Sequence, residues 1–124
     1  MGCKYLLVLM MYAAFAVPAS AAPDDIFGTW QRGDGAAHVK VASCGDAICA
    51  TNVWIKDPNK QDENVGDRLV FKIMPKRNEW VGSAYDPRRG LNLKAILKAS
   101  GGSMVTTGCV LGGLLCRSTK WTRM

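Results

Sequence analysis

The chain has 124 residues, with 16 Lys and Arg against 10 Asp and Glu and a formal charge of +6. That length allows one domain with one modest core. The basic residues are scattered and the densest pair, Arg88-Arg89, falls in a turn. Neither a basic helix nor a stripe of interleaved aromatics is present, so the nucleic-acid footprint is lacking.

The N-terminus has the three parts of a secretory signal peptide. Lys4 is the charged start, Tyr5 to Val17 is apolar or small throughout, and Pro18-Ala19-Ser20-Ala21 offers an A-x-A cleavage site. As a helix the apolar run rises about 20 Å, short of a hydrocarbon core of about 30 Å. A myristoylation start fails at Leu6, where Ser or Thr is needed. Cleavage after Ala21 is therefore expected, leaving residues 22–124 as a single domain. It would carry no transmembrane anchor and would sit in the periplasm or outside the cell.

From Phe27 onward, short β segments alternate with turns, and no helical period is sustained. The expected strands are Phe27–Arg32, Ala37–Ser43, Ile48–Ile55, Leu69–Met74, Glu79–Tyr85, Leu91–Lys98, Met104–Cys109 and Cys116–Arg123. Gly, Pro, Asn or Asp marks each reversal, as in Gly33-Asp34-Gly35, Pro75-Lys76-Arg77-Asn78 and Ser100-Gly101-Gly102. One long polar connection, Lys56–Arg68, reads as mobile and exposed. Along the sixth segment Leu91, Leu93, Ala95 and Leu97 share a face, opposite Asn92, Lys94 and Lys98. One dry face and one wet face fit an antiparallel sheet. About eight such strands at hairpin spacing predict an all-β fold, a small antiparallel up-and-down barrel. In a strict meander the Gly33–Gly35, Lys56–Arg68, Asp86–Gly90 and Val110–Leu115 connections share one end, where any mouth is expected.

Export would remove Cys3 and leave Cys44, Cys49, Cys109 and Cys116. Four cysteines in a small exported domain imply disulfides, with three possible pairings. Paired positions across a hairpin lie within bridging range. Cys44–Cys49 and Cys109–Cys116 each flank a hairpin turn, whereas crossed pairs would have to span the domain. Zinc is disfavoured, because the C-x4-C and C-x6-C spacings lack the short knuckle and the sole His, His38, lies elsewhere. No metal and no cofactor are expected.

Catalysis finds no constellation. His38 is the one candidate base and no nucleophile elbow accompanies a serine. The aspartates sit in turns and loops, where turn chemistry places them. Trp30, Trp54, Trp80 and Trp121 are spread over four strands, and read either as packing or as the walls of a binding cavity. The loop Val110-Leu111-Gly112-Gly113-Leu114-Leu115 is apolar where turns are normally polar. It reads as a plug over one end, or as an entry lip or partner contact.

Gly28-Thr29-Trp30 near the start of the first strand, with an Arg late in the last, resembles the lipocalin-type barrel. There the Arg covers the Trp at the closed end; Arg123 would take that role, with Arg117 as the alternative. The chain also resembles the bacterial exported family called domain of unknown function 2147. The resemblance rests on Gly28-Thr29-Trp30, Cys44-Gly45-Asp46-Ala47-Ile48-Cys49, Val53-Trp54-Ile55-Lys56-Asp57-Pro58, Tyr85-Asp86-Pro87 with Gly90, Gly108 through Ser118, and Trp121-Thr122-Arg123. It implies a lipocalin-like barrel and an envelope location, and brings no activity with it. Gly90-Leu91-Asn92-Leu93 departs from the Gly-Lys-Thr/Ser-Tyr that the family tends to carry.

These readings lead to a non-catalytic binding module for a small apolar or amphipathic ligand. Trp30, Trp54, Trp80, Tyr85, Leu111 and Leu114 are the candidate contacts. The alternative is a protein-interaction module, an inhibitor or accessory factor of an envelope enzyme, presenting its disulfide-tethered loops.

Overall fold

The computed structural model describes residues 25–59 and 62–124. The expected signal peptide and its cleavage site lie outside the described residues. The strands are β1 (Gly28–Arg32), β2 (Ala37–Cys44), β3 (Ala47–Ile55), β4 (Arg68–Lys76), β5 (Glu79–Asp86), β6 (Leu91–Ser100), β7 (Ser103–Val110) and β8 (Leu115–Arg123). Each pairs antiparallel with the next, and β8 returns to β1 through Trp30↔Arg123, Gln31↔Thr122 and Arg32↔Trp121. The fold is the expected all-β, eight-stranded up-and-down barrel, closed so that no sheet edge is left unpaired.

The strands form where the sequence alternates. In β6, Ala95, Leu97 and Ala99 are buried while Asn92, Lys94, Lys98 and Ser100 are exposed, the period-two pattern of a wall with one face inside. Strand ends differ from expectation by a residue or two. The largest difference is at β4, which runs through Pro75 to pair it with Trp80. The hairpin then turns on Arg77-Asn78 alone, with Arg77 at φ 60°. Pro75 sits near the strand end, where a missing ladder N–H is tolerated.

Both expected disulfides are present, by different geometries. Cys109 and Cys116 face each other in register, with Cα atoms 4.0 Å apart. Cys44 pairs in register with Ala47, and Cys49 with Ala42. The Cys44–Cys49 bridge is therefore diagonal, spanning 5.8 Å between Cα atoms, because the turn is two residues tighter than expected.

The core fills one end of the barrel. Trp30, Ile26 and Leu97 are its most deeply buried side chains, packed with Val39, Val41, Phe71 and Met104. The indole N–H of Trp30 donates to the Ile26 carbonyl at 3.0 Å. Arg123 lies over the Trp30 ring, its guanidinium carbon 4.3 Å from the centroid, a cation–π contact. The same guanidinium donates to the carbonyls of Phe27 and Asp25, each at 2.8 Å. Gly28 makes room for it: its φ is +121°, and a Cβ there would stand 2.9 Å from Arg123 Nη1. Arg123, and not Arg117, thus closes this end.

Candidate functional site: an open cavity above a packed floor

Above the core the barrel is hollow. A cavity of about 760 Å³ rises from Trp30, Phe71, Leu97, Met104 and Trp121 toward the opposite end. That volume is in the range of small-molecule sites. The space exists because several inward positions of the upper wall carry short side chains: Ala50 on β3, Thr106 and Gly108 on β7, and Thr119 on β8. Leu93 and Leu91 line it on β6, and Leu91, nearest the rim, is 40% exposed.

The opening is where the meander places it. Asp62, Glu63 and Asp67 of the long loop, Asp86 and Arg89 of the β5–β6 turn, and Val110 and Leu115 beside the β7–β8 loop line the cavity on this side. The first connection, Gly33–Gly35, does not reach it.

The long loop is expected to be mobile and exposed; its described residues are mostly exposed, and several of them are bonded to the rim. Arg32 on β1 forms an ion pair with Glu63, and its Nε reaches Asp34 Oδ1 at 2.9 Å. The Glu63 hydrogen bond, followed by that to Asp34, raises the pKa of Arg32 far above its ordinary value. Arg88 pairs with Asp67 at 2.7 Å, and Arg89 Nη2 donates to the Asp62 carbonyl at 2.9 Å. The backbone adds Asn52 N–H to Asp67 O and Gly66 N–H to Asn52 O, both at 2.8 Å. These continue the β3 edge beyond Thr51, where its regular pairing with β4 stops.

Asp86 is the buried carboxylate of the rim. Its Oδ1 accepts the backbone N–H of Arg88 and Arg89, and its Oδ2 accepts Arg89 Nη1 at 2.8 Å. Burial pushes its pKa up, but the bonds and charge of Arg89 outweigh burial and hold it below the ordinary value. The group is thus a turn cap locked in an ion pair. Among the described residues, no three His, Cys, Asp or Glu side chains are grouped as a metal would require.

Of the six residues singled out as ligand contacts, Trp30 lines the cavity and the other five lie elsewhere. Trp54 is on the outer surface, stacked on His38 with ring centroids 4.4 Å apart. A β-bulge puts it there. The register passes from His38↔Trp54 to Val39↔Asn52, leaving Val53 unpaired, so the alternation that turns Asn52 inward is reversed at Trp54. Tyr85 faces outward between the inward Ala84 and Asp86 and is 41% exposed. Trp80 packs against the core near the closed end. Leu111 and Leu114, at the tip of the β7–β8 loop, are 71% and 85% exposed. They form no plug: Leu111 adopts φ 54° and opens a short 3-10 turn outside the barrel.

Two cavity residues stand outside those six: Trp121, one of the four tryptophans read as possible cavity walls, and Arg117. Trp121 lines the floor beside Trp30, its indole N–H held by Thr106 Oγ1 at 3.0 Å. Arg117 lines the upper wall. Counting back by twos from Trp121 gives Thr119, Arg117 and Leu115, and all four line the cavity. That count was the available signal.

The fold and site define a class: a small closed β-barrel with a sealed end, a packed floor and a cavity open at the other end. Residues 28–123 match the family described as "Uncharacterized protein conserved in bacteria (DUF2147)", and the chain belongs to that family. Among curated proteins and among solved structures, none matches the chain.

Proposed function

We propose that this protein is an exported, non-catalytic binding module that holds one small apolar or amphipathic molecule in the open half of its barrel. The observation that carries this reading is the cavity of about 760 Å³ with Trp30 and Trp121 at its floor. An eight-stranded barrel is just wide enough either to fill itself or to hold one small ligand, and here the upper half is unfilled. Export to the periplasm or beyond is supported by the two disulfides, which persist in oxidising compartments. No helix among the described residues is long and apolar enough to cross a membrane. The test is native mass spectrometry with tryptophan-fluorescence titration against fatty acids and envelope lipids. A one-to-one complex with quenching is expected, and absence of both across the panel contradicts the reading.

A second reading, contact with an envelope enzyme, is favoured by one observation. Leu111 and Leu114 are held out at a loop tip whose base is fixed by Cys109–Cys116. An envelope-protein complex recovered with the native chain should be lost on Leu111→Asp with Leu114→Asp, the fold being intact by circular dichroism. Retention of the complex rules this surface out.

A further inference from the structure

We infer that the molecule held in the cavity is an amphipathic anion, and that Arg117 is the residue that receives its carboxylate or phosphate head. This rests on the cavity being a ligand site and specifies the chemistry of the ligand.

The inner wall of β7 and β8 is graded from floor to rim. Met104 stands opposite Trp121, then Thr106 opposite Thr119, then Gly108 opposite Arg117, then Val110 opposite Leu115. All eight positions line the cavity. Polarity therefore rises from apolar, through hydroxyl, to a guanidinium, and falls again at the lip. Gly108 has no side chain to pair with Arg117, and the position above its Cα is in contact with the Leu93 side chain, 3.6 Å from where a Cβ would stand.

Three other cations of the rim are occupied. Arg32 is paired with Glu63, Arg88 with Asp67, and Arg89 with Asp86. Asp62, the rim carboxylate without an ion pair, lies near enough to Arg89 to contribute to the raised pKa of that residue. Among the described residues, Arg117 has neither an ion pair nor a side-chain hydrogen bond. Arg68 also touches the cavity unpaired, but alternation along β4 turns Leu69 and Phe71 inward and leaves Arg68 at the edge. A planar guanidinium matches the two oxygens of a carboxylate or phosphate. Below it, the Thr pair and the Trp floor suit a chain that is apolar away from its head. Arg117 is exposed at the mouth, where its guanidinium is accessible to an anionic head entering from solvent.

The experiment uses four twelve-carbon probes, dodecanoate, dodecyl phosphate, dodecanol and dodecylamine, read by quenching of tryptophan fluorescence. At least one anion should bind about tenfold or more tighter than dodecanol, the increment of a charge-assisted hydrogen-bond pair. Comparison of the two anions tells a carboxylate site from a phosphate site. Arg117→Gln should abolish the preference while dodecanol binding stays unchanged, Arg117→Lys should keep part of it, and Arg68→Gln should leave it intact. Dodecanol binding as tightly as both anions overturns the headgroup assignment and leaves the cavity reading standing. An anion preference that survives in Arg117→Gln removes Arg117 from the site. If none of the four binds, the cavity reading itself fails. Should Arg117→Gln not fold, Arg117→Lys carries the test, and an unreduced preference there with a loss in Arg68→Gln transfers the role to Arg68.

Discussion

The two halves of the barrel share the same strands and differ in what those strands turn inward. Leu97 and Leu91 make the point. They lie six positions apart on one face of β6, yet Leu97 is 2% exposed in the packed half and Leu91 is 40% exposed in the hollow half. The closed half is filled by large side chains and sealed by Arg123 over Trp30. The open half mixes short inward residues, Ala50, Asn52, Thr106, Gly108 and Thr119, with Leu91 and Leu93, and its rim is held by ion pairs. Apolar packing therefore resides in one half, and open space in the other.

Substitutions should respect that division. Trp30→Ala removes the largest fully buried side chain together with its bond to Ile26 and its cover by Arg123. Its cost is about 4 kcal/mol, as for large-to-small aromatic truncations in cores, measured by urea unfolding. A cost below about 1 kcal/mol would show that the closed half is not the stability core. Leu97→Ala should cost about 3 kcal/mol and Leu91→Ala under about 1 kcal/mol. Equal costs would erase the distinction between the halves.

The disulfides staple opposite ends, Cys44–Cys49 near the sealed end and Cys109–Cys116 near the mouth. On loop-closure entropy each contributes about 2 kcal/mol. Reducing both should therefore lower the melting temperature of the domain by about 15 °C or more; equal melting temperatures with and without reductant would contradict this. The smallest effect is electrostatic. The native pKa of Asp86 lies below its unfolded value, so its stabilisation is complete above the unfolded pKa and is lost as pH falls through the native one. Asp86→Asn should cost about 1 kcal/mol at neutral pH through the weakened Arg89 pair and turn cap. It should also flatten stability against pH in the acid region below about pH 4. An unchanged acid limb would show that Asp86 does not link the rim to pH.

Much of the architecture was legible in the sequence because it is locally encoded. Turn residues punctuate the chain every few residues, β6 alternates cleanly, and each cysteine pair brackets one hairpin. The sealed end was legible through the resemblance of Gly28-Thr29-Trp30 and Arg123 to the lipocalin-type barrel, and the contact is as that resemblance implies. The cavity lining was harder to read. Large aromatics attract notice, but whether they face inward depends on register, and one unpaired residue at Val53 is enough to put Trp54 outside. Hollow space is written in small residues such as Gly108 and Thr119, which look like nothing in particular until the opposite strand is known. The tie-down of the long loop was illegible for the same reason: Glu63 and Asp67 meet Arg32 and Arg88 only when the barrel closes.

The central claim is that the open half is empty to receive a ligand. Native mass spectrometry of the intact domain with dodecanoate tests it most directly, comparing the native chain with Thr119→Trp, which narrows the cavity from its wall. A saturable one-to-one complex is expected for the native chain, and clearly weaker binding by Thr119→Trp at unchanged melting temperature. No complex with the native chain, or equal binding by both, would contradict it.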